Sequence, residues 1–384
     1  MTEKSNVQAV HDTLLAEFRR DERYILLGED VGVRGGVFRV SDGFIEEFGR
    51  DRIIDTPVAE SAIVGVAIGA AIGGLLPVAE MQFADFSAPA FEQIVDEAAR
   101  IRYRSNGGYG VPLVVRMPWG GGIHGALYHS QSVEAFYAHV PGLKVVVPST
   151  PRDITGMLRA ALRDPDPVIF LEHKATYRAV KGDVPEDPEF VIPLGPADVK
   201  REGTDVTVFA YGLMLHHCLR AAETLASEGI SVNVVDVRSL RPLDVATIVR
   251  EARKTGKCLI VYEDNRMFGA GAEIAALAPA AGRARAASIA TARARAARAP
   301  VRAPAAVSSR RRPATPPLRR RCRTAPAGCR SGRSDPPRPS PPAAFPTPEM
   351  GSRCSPCPSV LRRAGRTCSP CRRASSATSR SCPR

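Results

Sequence analysis

The sequence is poor in cysteine, aromatic residues and long apolar runs. Aromatic residues make up 6% of the 384 residues, and tryptophan occurs once. The first 280 residues hold only two cysteines, Cys218 and Cys258, which excludes a disulfide framework and predicts a reducing, cytoplasmic location. No run of 18 apolar residues occurs, and the first residues lack the apolar segment of a signal peptide. We therefore expect neither secretion nor a membrane partner.

Lysine is absent from residue 281 onward, and acidic residues are nearly so. That segment holds 24 Arg against two acids, a net charge of +22, although the whole chain carries only +13. The first 280 residues have 29 basic and 38 acidic residues, a net charge of −9. We expect no specific nucleic-acid partner, because the basic segment would bind nucleic acid only as a polyelectrolyte. Deleting residues 281–384 should abolish any such binding.

From about residue 278 the chain consists mainly of Ala, Arg, Pro and Ser, and residues 281–384 include 17 prolines. Such a composition buries too little apolar area to offset the entropy of ordering, so disorder is predicted. The change falls abruptly inside a predicted helix, and these residue types are what GC-rich codons encode out of frame. We hypothesise a frameshift near residues 277–280, natural or from a sequence error, with a genuine basic disordered tail as the alternative. Translating the two other frames downstream would decide between them.

Two C-x-x-C pairs in this tail have the spacing of a zinc site, which is built by cysteine thiolates. They are Cys354/Cys357 and Cys368/Cys371. No predicted strand or aromatic residue surrounds them, so zinc binding is not expected.

The first 277 residues predict alternating helices and strands. Residues 6–20 have apolar positions at helical spacing, residues 60–75 suit a buried helix, and residues 91–104 have acids early and arginines late. Thr150-Pro151 with Asp153 predicts a capped helix to about residue 162. Apolar runs predict strands at residues 24–27, 77–83, 111–117, 143–147, 168–171, 206–211, 231–236 and 258–262. Helices are predicted at 215–227, 243–254 and from 269, and the proline-rich residues 181–196 as a connection.

Glu60 stands where a loop enters a glycine-rich apolar helix. The helix dipole favours its charge and burial opposes it, so the carboxyl can share a proton with a ring nitrogen. Gly65, Gly69 and Gly73 recur every four residues and predict one helix face open to close approach by another helix. An ordinary N-terminal glutamate beside a packing face would give the same pattern.

The spacing Glu60-x4-Gly65-Val-Ala-Ile-Gly69 resembles the pyrimidine-binding motif of thiamine diphosphate enzymes. Other segments are similar to beta subunits of the decarboxylating first component of 2-oxo acid dehydrogenase complexes. These segments occur in the order expected for the family, from about residue 6 to 276. The most specific are Gly28-Glu-Asp-Val, Gln82-Phe-Ala-Asp-Phe86, His124-Gly-Ala-Leu-Tyr-His129-Ser-Gln-Ser and His139-Val-Pro-Gly. Within the family they look closer to the branched-chain enzymes than to the pyruvate enzymes.

The resemblance implies an α/β fold with a doubly wound pyrimidine-binding domain. We place this domain at residues 1–185 and a linker at 186–197. A transketolase-like C-terminal domain at 198–277 would follow, cut short by the low-complexity tail at 278–384.

The resemblance also implies site residues. Glu60 would hydrogen-bond the aminopyrimidine ring of thiamine diphosphate, Phe86 would stack on it, and Gln82 and Val58 would lie close to it. His129 matches the family's active-site histidine, which orients the acyl group or relays a proton as that group passes to a lipoyl arm. His124 and His139 have no such match and are expected to be structural.

The implied metal sites are divided between two chains. No Gly-Asp-Gly run occurs, so an alpha subunit must supply the magnesium and diphosphate half of the cofactor, in an α2β2 arrangement. A potassium site implied by the resemblance aligns with two segments, and its candidate residues are Val111, Leu113, Val114, Ala161, Asp164 and Asp166.

The expected reaction is oxidative decarboxylation of a branched-chain 2-oxo acid with acyl transfer to the lipoyl group of a core acyltransferase. Pyruvate or acetoin as the substrate stays open. A subunit that cannot assemble, because of its aberrant C-terminus, is the alternative of a different class.

Overall fold

The computed structural model describes residues 1–278 and the backbone of residues 285–290, which form two main sheets covered by helices. The strands are β1 Thr2–Ser5, β2 Tyr24–Gly28, β3 Ile53–Asp55, β4 Leu76–Glu80, β5 Val114–Trp119, β6 Lys144–Val146, β7 Val168–His173, β8 Lys181–Val184, β9 Asp198–Arg201, β10 Val206–Ala210, β11 Val232–Asp236, β12 Ser239–Arg241, β13 Lys257–Tyr262 and β14 Arg285–Ala290. The helices are α1 Asn6–Arg20, α2 Phe44–Phe48, α3 Glu60–Ile72, α4 Ile101–Arg104, α5 Glu134–Ala138, α6 Pro151–Leu162, α7 Leu213–Ala226, α8 Val245–Thr255 and α9 Ala270–Leu277.

The first sheet has seven strands in the order β12-β6-β7-β5-β4-β2-β3. All neighbours are parallel except β12, which runs antiparallel to β6 and comes from the second half of the chain. Every residue of β2, β5 and β7 is buried, as expected for a parallel sheet covered on both faces. Helices α1 and α6 pack together in the apolar cluster on one face, and α3 belongs to the cluster on the other.

The second sheet has the order β14-β13-β10-β11-β9. β10 is parallel to β11 and β13, β14 is parallel to β13, and β9 is antiparallel to β11. One continuous apolar cluster joins the two sheets, with Trp119 from the first and Tyr211 and Ile260 from the second. The described residues of both sheets lie in one compact unit.

Helices α1 and α6 begin at the residues where the sequence predicts them, and each has a side-chain cap. The Ser5 hydroxyl accepts from the Gln8 backbone N–H at the start of α1, and the Gln8 side chain accepts from the Ser5 backbone. The Thr150 hydroxyl caps α6 by accepting from the Asp153 backbone N–H, with Pro151 in the first turn. The mixed α/β fold with a doubly wound first sheet is confirmed.

Four local predictions need correction. Helix α3 is not buried all round, because Val66 is 59% exposed and its C-terminal glycines face solvent. The helix predicted at 91–104 is broken into a π-helical stretch, Gln93–Ala98, and the short α4. Residues Lys181–Val184 form β8 through antiparallel pairing with β1, which their polar sequence did not indicate. Regular structure also continues past residue 278, as strand β14.

The other predictions for the tail, including the C-x-x-C pairs and the frameshift, lie outside the described residues and stay predictions. In the part of the chain that the structure describes, every helix is too short or too polar to cross a membrane.

Candidate active site

The candidate site residues lie in segments that follow parallel strands of the first sheet. Asp30 follows β2, Glu60 follows β3, Phe86 follows β4, and His129 lies in the loop after β5. The carboxyl ends of parallel strands meet at one edge of a sheet, where open α/β sheets bind their ligands. Helix α3 also packs against residues 84–90, which in turn contact residues 127–129. The topology therefore brings these four segments together.

Glu60 is the first residue of α3 and is half-buried, so its carboxylate lies at the positive end of the helix dipole. Burial raises the pKa of the nearby Glu29 carboxyl, and the negative charges of Glu60 and Asp30 raise it further. Gln82 donates from Nε2 to Asp30 Oδ2 at 3.4 Å. The site thus concentrates carboxyl groups around Glu29.

His129 lies against two aromatic rings. Its ring centroid is 4.5 Å from that of Phe83 and 5.4 Å from that of Phe86, and both pairs meet edge to face. Its Nδ1 lies 3.1 Å from the Gly125 carbonyl oxygen, which can only accept. Nδ1 must therefore carry a hydrogen, which leaves Nε2 as the nitrogen that can exchange a proton in neutral histidine.

Phe83 and Lys174 are site residues that the sequence alone does not single out. Phe83 belongs to the Gln82–Phe86 motif, and its ring is the nearer of the two that contact His129. Lys174 follows β7 at the same sheet edge, is 3% exposed, and places its Nζ 5.5 Å from the Phe83 ring centroid. Burial lowers the pKa of Lys174 to about 8, while the negative charges of Asp85 and Glu263 act to raise it. A lysine directly after a buried parallel strand was the signal that could have found it.

The site is open on this chain. Val58 is 79% exposed, and Leu127 and Tyr128 beside His129 are exposed by 67% and 65%. Phe86 is half-buried. Apolar side chains in this position give a ligand or a second chain a surface to cover.

The predicted glycine face of α3 is used only in part by this chain. A Cβ on Gly65 would lie 3.2 Å from Gln93 Oε1, so glycine there permits the close approach of the π-helical stretch. A Cβ on Gly69 would meet no atom within 4 Å, and one on Gly73 would meet only the carbonyl oxygens of its own helix turn. Among the described residues, close packing by another helical segment is therefore found at Gly65 and not at Gly69 or Gly73.

The two predicted potassium-binding acids are already paired with cations. Both carboxylate oxygens of Asp164 accept from Lys144 Nζ at 2.6 Å, and Asp166 pairs with Arg102. The carbonyls of Val111, Leu113 and Ala161 accept backbone hydrogen bonds; Val114, the sixth candidate, is a buried residue of β5. Among the described residues, no three His, Cys, Asp or Glu side chains cluster as metal ligands. The potassium site stays a prediction.

His124 and His139, the two histidines expected to be structural, lie apart from this arrangement of rings. His124 is exposed in the loop after β5, with φ at +58°. His139 directly follows α5, is exposed, and lines a cavity of about 1100 Å³ whose other walls include Phe136 and Phe268. Neither is brought into ring contact with Phe83 or Phe86 in the described residues.

Two family models match the chain. The pyrimidine-binding domain of transketolase matches residues 3–180, and the C-terminal domain of transketolase matches residues 195–299.

Curated relatives match over 72% of the chain and 84–85% of their own lengths. The chain is 56% identical over 277 residues to the 2-oxoisovalerate dehydrogenase subunit beta of Bacillus subtilis. It is 46% identical over 276 residues to the pyruvate dehydrogenase E1 component subunit beta of the same organism, and 45% identical to that of Staphylococcus epidermidis.

Among solved structures, a split-gene transketolase described as an inactive beta4 tetramer superposes with a TM-score of 0.62 at 25% identity. The match covers 75% of this chain and 88% of that one.

Proposed function

Because this chain belongs to the beta subunits of 2-oxo acid dehydrogenases, we propose that it binds the pyrimidine half of thiamine diphosphate and serves oxidative decarboxylation of a branched-chain 2-oxo acid. The single observation that supports the proposal is the ring contact between Phe86 and His129, made by a segment (residues 84–90) that also packs against α3, the helix that begins at Glu60. The acyl group would pass to a lipoyl group on a core acyltransferase. The choice of a branched-chain acid is supported by 56% identity to the 2-oxoisovalerate subunit against 46% to the pyruvate subunit.

The residues present fit the pyrimidine half of the cofactor. A half-buried carboxylate at a helix start, a half-buried phenyl ring and the exposed Val58 side chain would provide one ionic and two apolar contacts for a flat amino-substituted ring. Gln82 would add an amide at the same edge. When bound, thiamine diphosphate supplies the carbanion chemistry of decarboxylation.

Each protein group then has a defined task. Glu60 would hold a hydrogen bond to the pyrimidine ring from the first residue of α3, beside the Glu29 carboxyl. Phe86 would cover one face of that ring. His129 would accept or donate a proton at Nε2, because Nδ1 is committed to the Gly125 carbonyl.

An alpha subunit would complete the site and bind magnesium and the diphosphate. Two features support this partner: no Gly-Asp-Gly run occurs in the sequence, and the described residues leave the face of α3 with Gly69, Gly73 and Val66 exposed. The proposal includes the domain boundaries given above: a pyrimidine-binding domain at residues 1–185, a linker at 186–197 and a C-terminal domain at 198–277.

The test is co-expression of the 384-residue chain with its alpha subunit, followed by size exclusion and a rate assay with lipoylated acyltransferase. We expect an assembled complex whose kcat/KM is at least about tenfold higher for 2-oxoisovalerate than for pyruvate. The opposite preference would support the pyruvate alternative. Failure to assemble, corrected by restoring the alternative reading frame after residue 277, would support the assembly-defective alternative.

A further inference from the structure

We propose that Asp85 is the positioning residue that fixes His129, by holding the loop immediately after it; this inference rests on the role proposed for His129. Asp85 Oδ1 accepts hydrogen bonds from the backbone N–H groups of Ser130 and Gln131, each at 3.0 Å. One carboxylate oxygen thus binds the two peptide groups that directly follow the histidine. Hydrogen bonds from peptide N–H groups to an ionised carboxylate are stronger than those to a neutral acceptor.

The loop needs such an anchor because it has little regular structure. Residues 120–133 connect β5 to α5, and a single 3-10 turn, Leu127–His129, is their only regular element in the described structure. His124 and Ala126 both have positive φ values, near +58° and +56°. The loop starts at Gly120 with φ at +81°, where a Cβ would clash with the His173 ring. The two ends of the loop lie close together, because the Gly120 N–H donates to the Gln131 carbonyl at 3.0 Å.

Asp85, in contrast, belongs to a segment, residues 84–90, that is held against the core. Ala84 and Ala90 are fully buried, and Ser87 is 3% exposed. Ser87 Oγ donates to the Ala84 carbonyl at 2.7 Å and accepts from the Tyr137 hydroxyl at 2.7 Å. These contacts tie residues 84–90 to the core, so the carboxylate can fix the loop and does not simply follow it.

The same part of the chain carries the two aromatic rings that contact the His129 side chain. Phe83 and Phe86 flank Asp85 in the chain, and both meet the His129 ring edge to face. Asp85 therefore fixes the backbone after His129, while its neighbours fix the imidazole. The position of His129 Nε2 therefore depends both on the Asp85 hydrogen bonds and on the Phe83 and Phe86 ring contacts.

The second oxygen of Asp85 shows that this carboxylate is not part of an ordinary ion pair. Oδ2 is buried and has no hydrogen-bond partner among the described residues. The buried Lys174 ammonium, on the Phe83 ring, is attracted to Asp85 without forming a direct bond. The contacts that Asp85 makes through Oδ1 are those of a loop anchor.

Three substitutions at Asp85 separate acceptor geometry from charge. Asn keeps a carbonyl oxygen at the Oδ1 position, Glu keeps the charge but moves the oxygen by one methylene, and Ala removes both. For the rate of 2-oxoisovalerate turnover in the complex with the alpha subunit, we expect Asp85→Asn within about threefold of the wild type. We expect Asp85→Glu to be lower and Asp85→Ala lowest, at least about tenfold down. A higher rate for Asp85→Glu than for Asp85→Asn would overturn the proposal.

A double-mutant cycle with His129→Ala tests whether Asp85 acts through the histidine. Asp85→Ala should slow the wild type but leave the His129→Ala rate within twofold, because an aimed group that is absent cannot be misplaced. Equal slowing in both backgrounds would show that Asp85 does not act through His129. If His129→Ala leaves the rate unchanged, the proposed role of His129 fails, independently of Asp85.

Hydrogen exchange gives a readout that does not depend on activity. Asp85→Ala should speed exchange at the amides of Ser130 and Gln131 at least tenfold, with no change in β2 or β5. Asp205 provides the matched control, because its carboxylate accepts from the Ser231 N–H at 2.6 Å in the second half of the chain. Asp205→Ala should speed exchange at Ser231 and leave turnover unchanged. Unchanged protection of Ser130 and Gln131 in Asp85→Ala would overturn the anchoring role.

Discussion

Buried charge is arranged differently inside the first sheet and where the two sheets meet. In the first sheet, Arg116 is fully buried and donates to Glu172 at 2.7 and 2.8 Å and to Glu80 on the neighbouring strand. The Tyr177 hydroxyl donates to the same Glu172 carboxylate at 2.6 Å. Each charged group here has a partner, so the cluster ties β4, β5 and β7 together.

Where the two sheets meet, buried carboxyl groups are only half paired. Glu134 of α5 accepts from the Tyr211 hydroxyl at 3.0 Å through one oxygen, and Asp236 of β11 accepts from Ser149 at 2.9 Å through one oxygen. The second oxygen of each has no hydrogen-bond partner among the described residues, and that of Asp236 has only a long ion pair, 4.0 Å from Lys200 Nζ. Burial raises the pKa of Glu134 to about 8 and that of Asp236 to about 7.

The comparison teaches how to separate structural from functional charge in this chain. A fully paired buried cluster holds strands together, and breaking it removes a large stabilising contribution. Half-paired buried groups change protonation near neutral pH and lie near the site or the contact between the sheets. Lys174 belongs to the second kind, although it follows a strand of the first sheet.

The largest stability effect is expected in the first sheet. Arg116→Met would leave Glu80 and Glu172 buried without their cation, and should lower the free energy of unfolding by about 3–5 kcal/mol. Lys200→Met at the contact between the sheets is the matched change. It removes a cation from Asp153, Asp198 and Asp236, but Asp153 keeps its bond to Arg238 and Asp236 keeps its bond to Ser149. We expect that substitution to lower the free energy by roughly 1–2 kcal/mol. Urea denaturation measures both, and a larger loss for Lys200→Met would reverse the comparison.

Lys174→Met should stabilise the chain at pH 7. The pKa of Lys174 is lowered from 10.5 to about 8, so the folded state binds fewer protons than the unfolded state between these values. Wild-type stability should therefore rise as the pH increases from 8 to 10.5, and at pH 7 the charged lysine opposes folding. Removing it should add about 1–3 kcal/mol at pH 7 and nothing at pH 10.5.

Denaturation of this variant at the two pH values provides the measurement, with the exposed Lys257→Met as the control. Equal effects of Lys174→Met at pH 7 and pH 10.5 would show that Lys174 titrates as an exposed lysine.

Glu134→Gln should have a smaller effect, with the opposite pH dependence. The pKa of Glu134 is raised from 4.5 to about 8, so the folded state binds more protons in this range and stability falls as the pH rises through it. Glutamine mimics the protonated acid, so the variant should match the wild type at pH 4.5 and exceed it by roughly 1–2 kcal/mol at pH 8.5. The exposed Glu273→Gln serves as the control, and a variant less stable than the wild type at pH 8.5 would contradict this assignment.

Much of the fold was predictable because its signals are local. The Ser5 and Thr150 caps and the apolar strands at Val114 and Val168 are encoded by neighbouring residues. Strand β8 was not predictable, since it depends on pairing with β1 at the other end of the domain. Its residues have no apolar alternation of their own.

Those site residues that belong to short sequence motifs were predictable. Glu60, Phe86 and His129 were selected from short patterns, and sheet topology then brings their segments together. Phe83, Lys174 and Asp85 were missed as individual residues because their importance lies in distances to His129 or to its neighbours. Such distances arise only when loops after different strands meet.

The most direct test of the account is the turnover of Glu60→Gln in the complex with the alpha subunit. The half-buried carboxyl at the start of α3 is the group on which the proposed cofactor role depends, and glutamine keeps its size while removing the shared proton. We predict a loss of at least about 100-fold in 2-oxoisovalerate turnover, with assembly unchanged, whereas the exposed Glu223→Gln on α7 turns over normally. A Glu60→Gln complex that works at the wild-type rate would contradict the account.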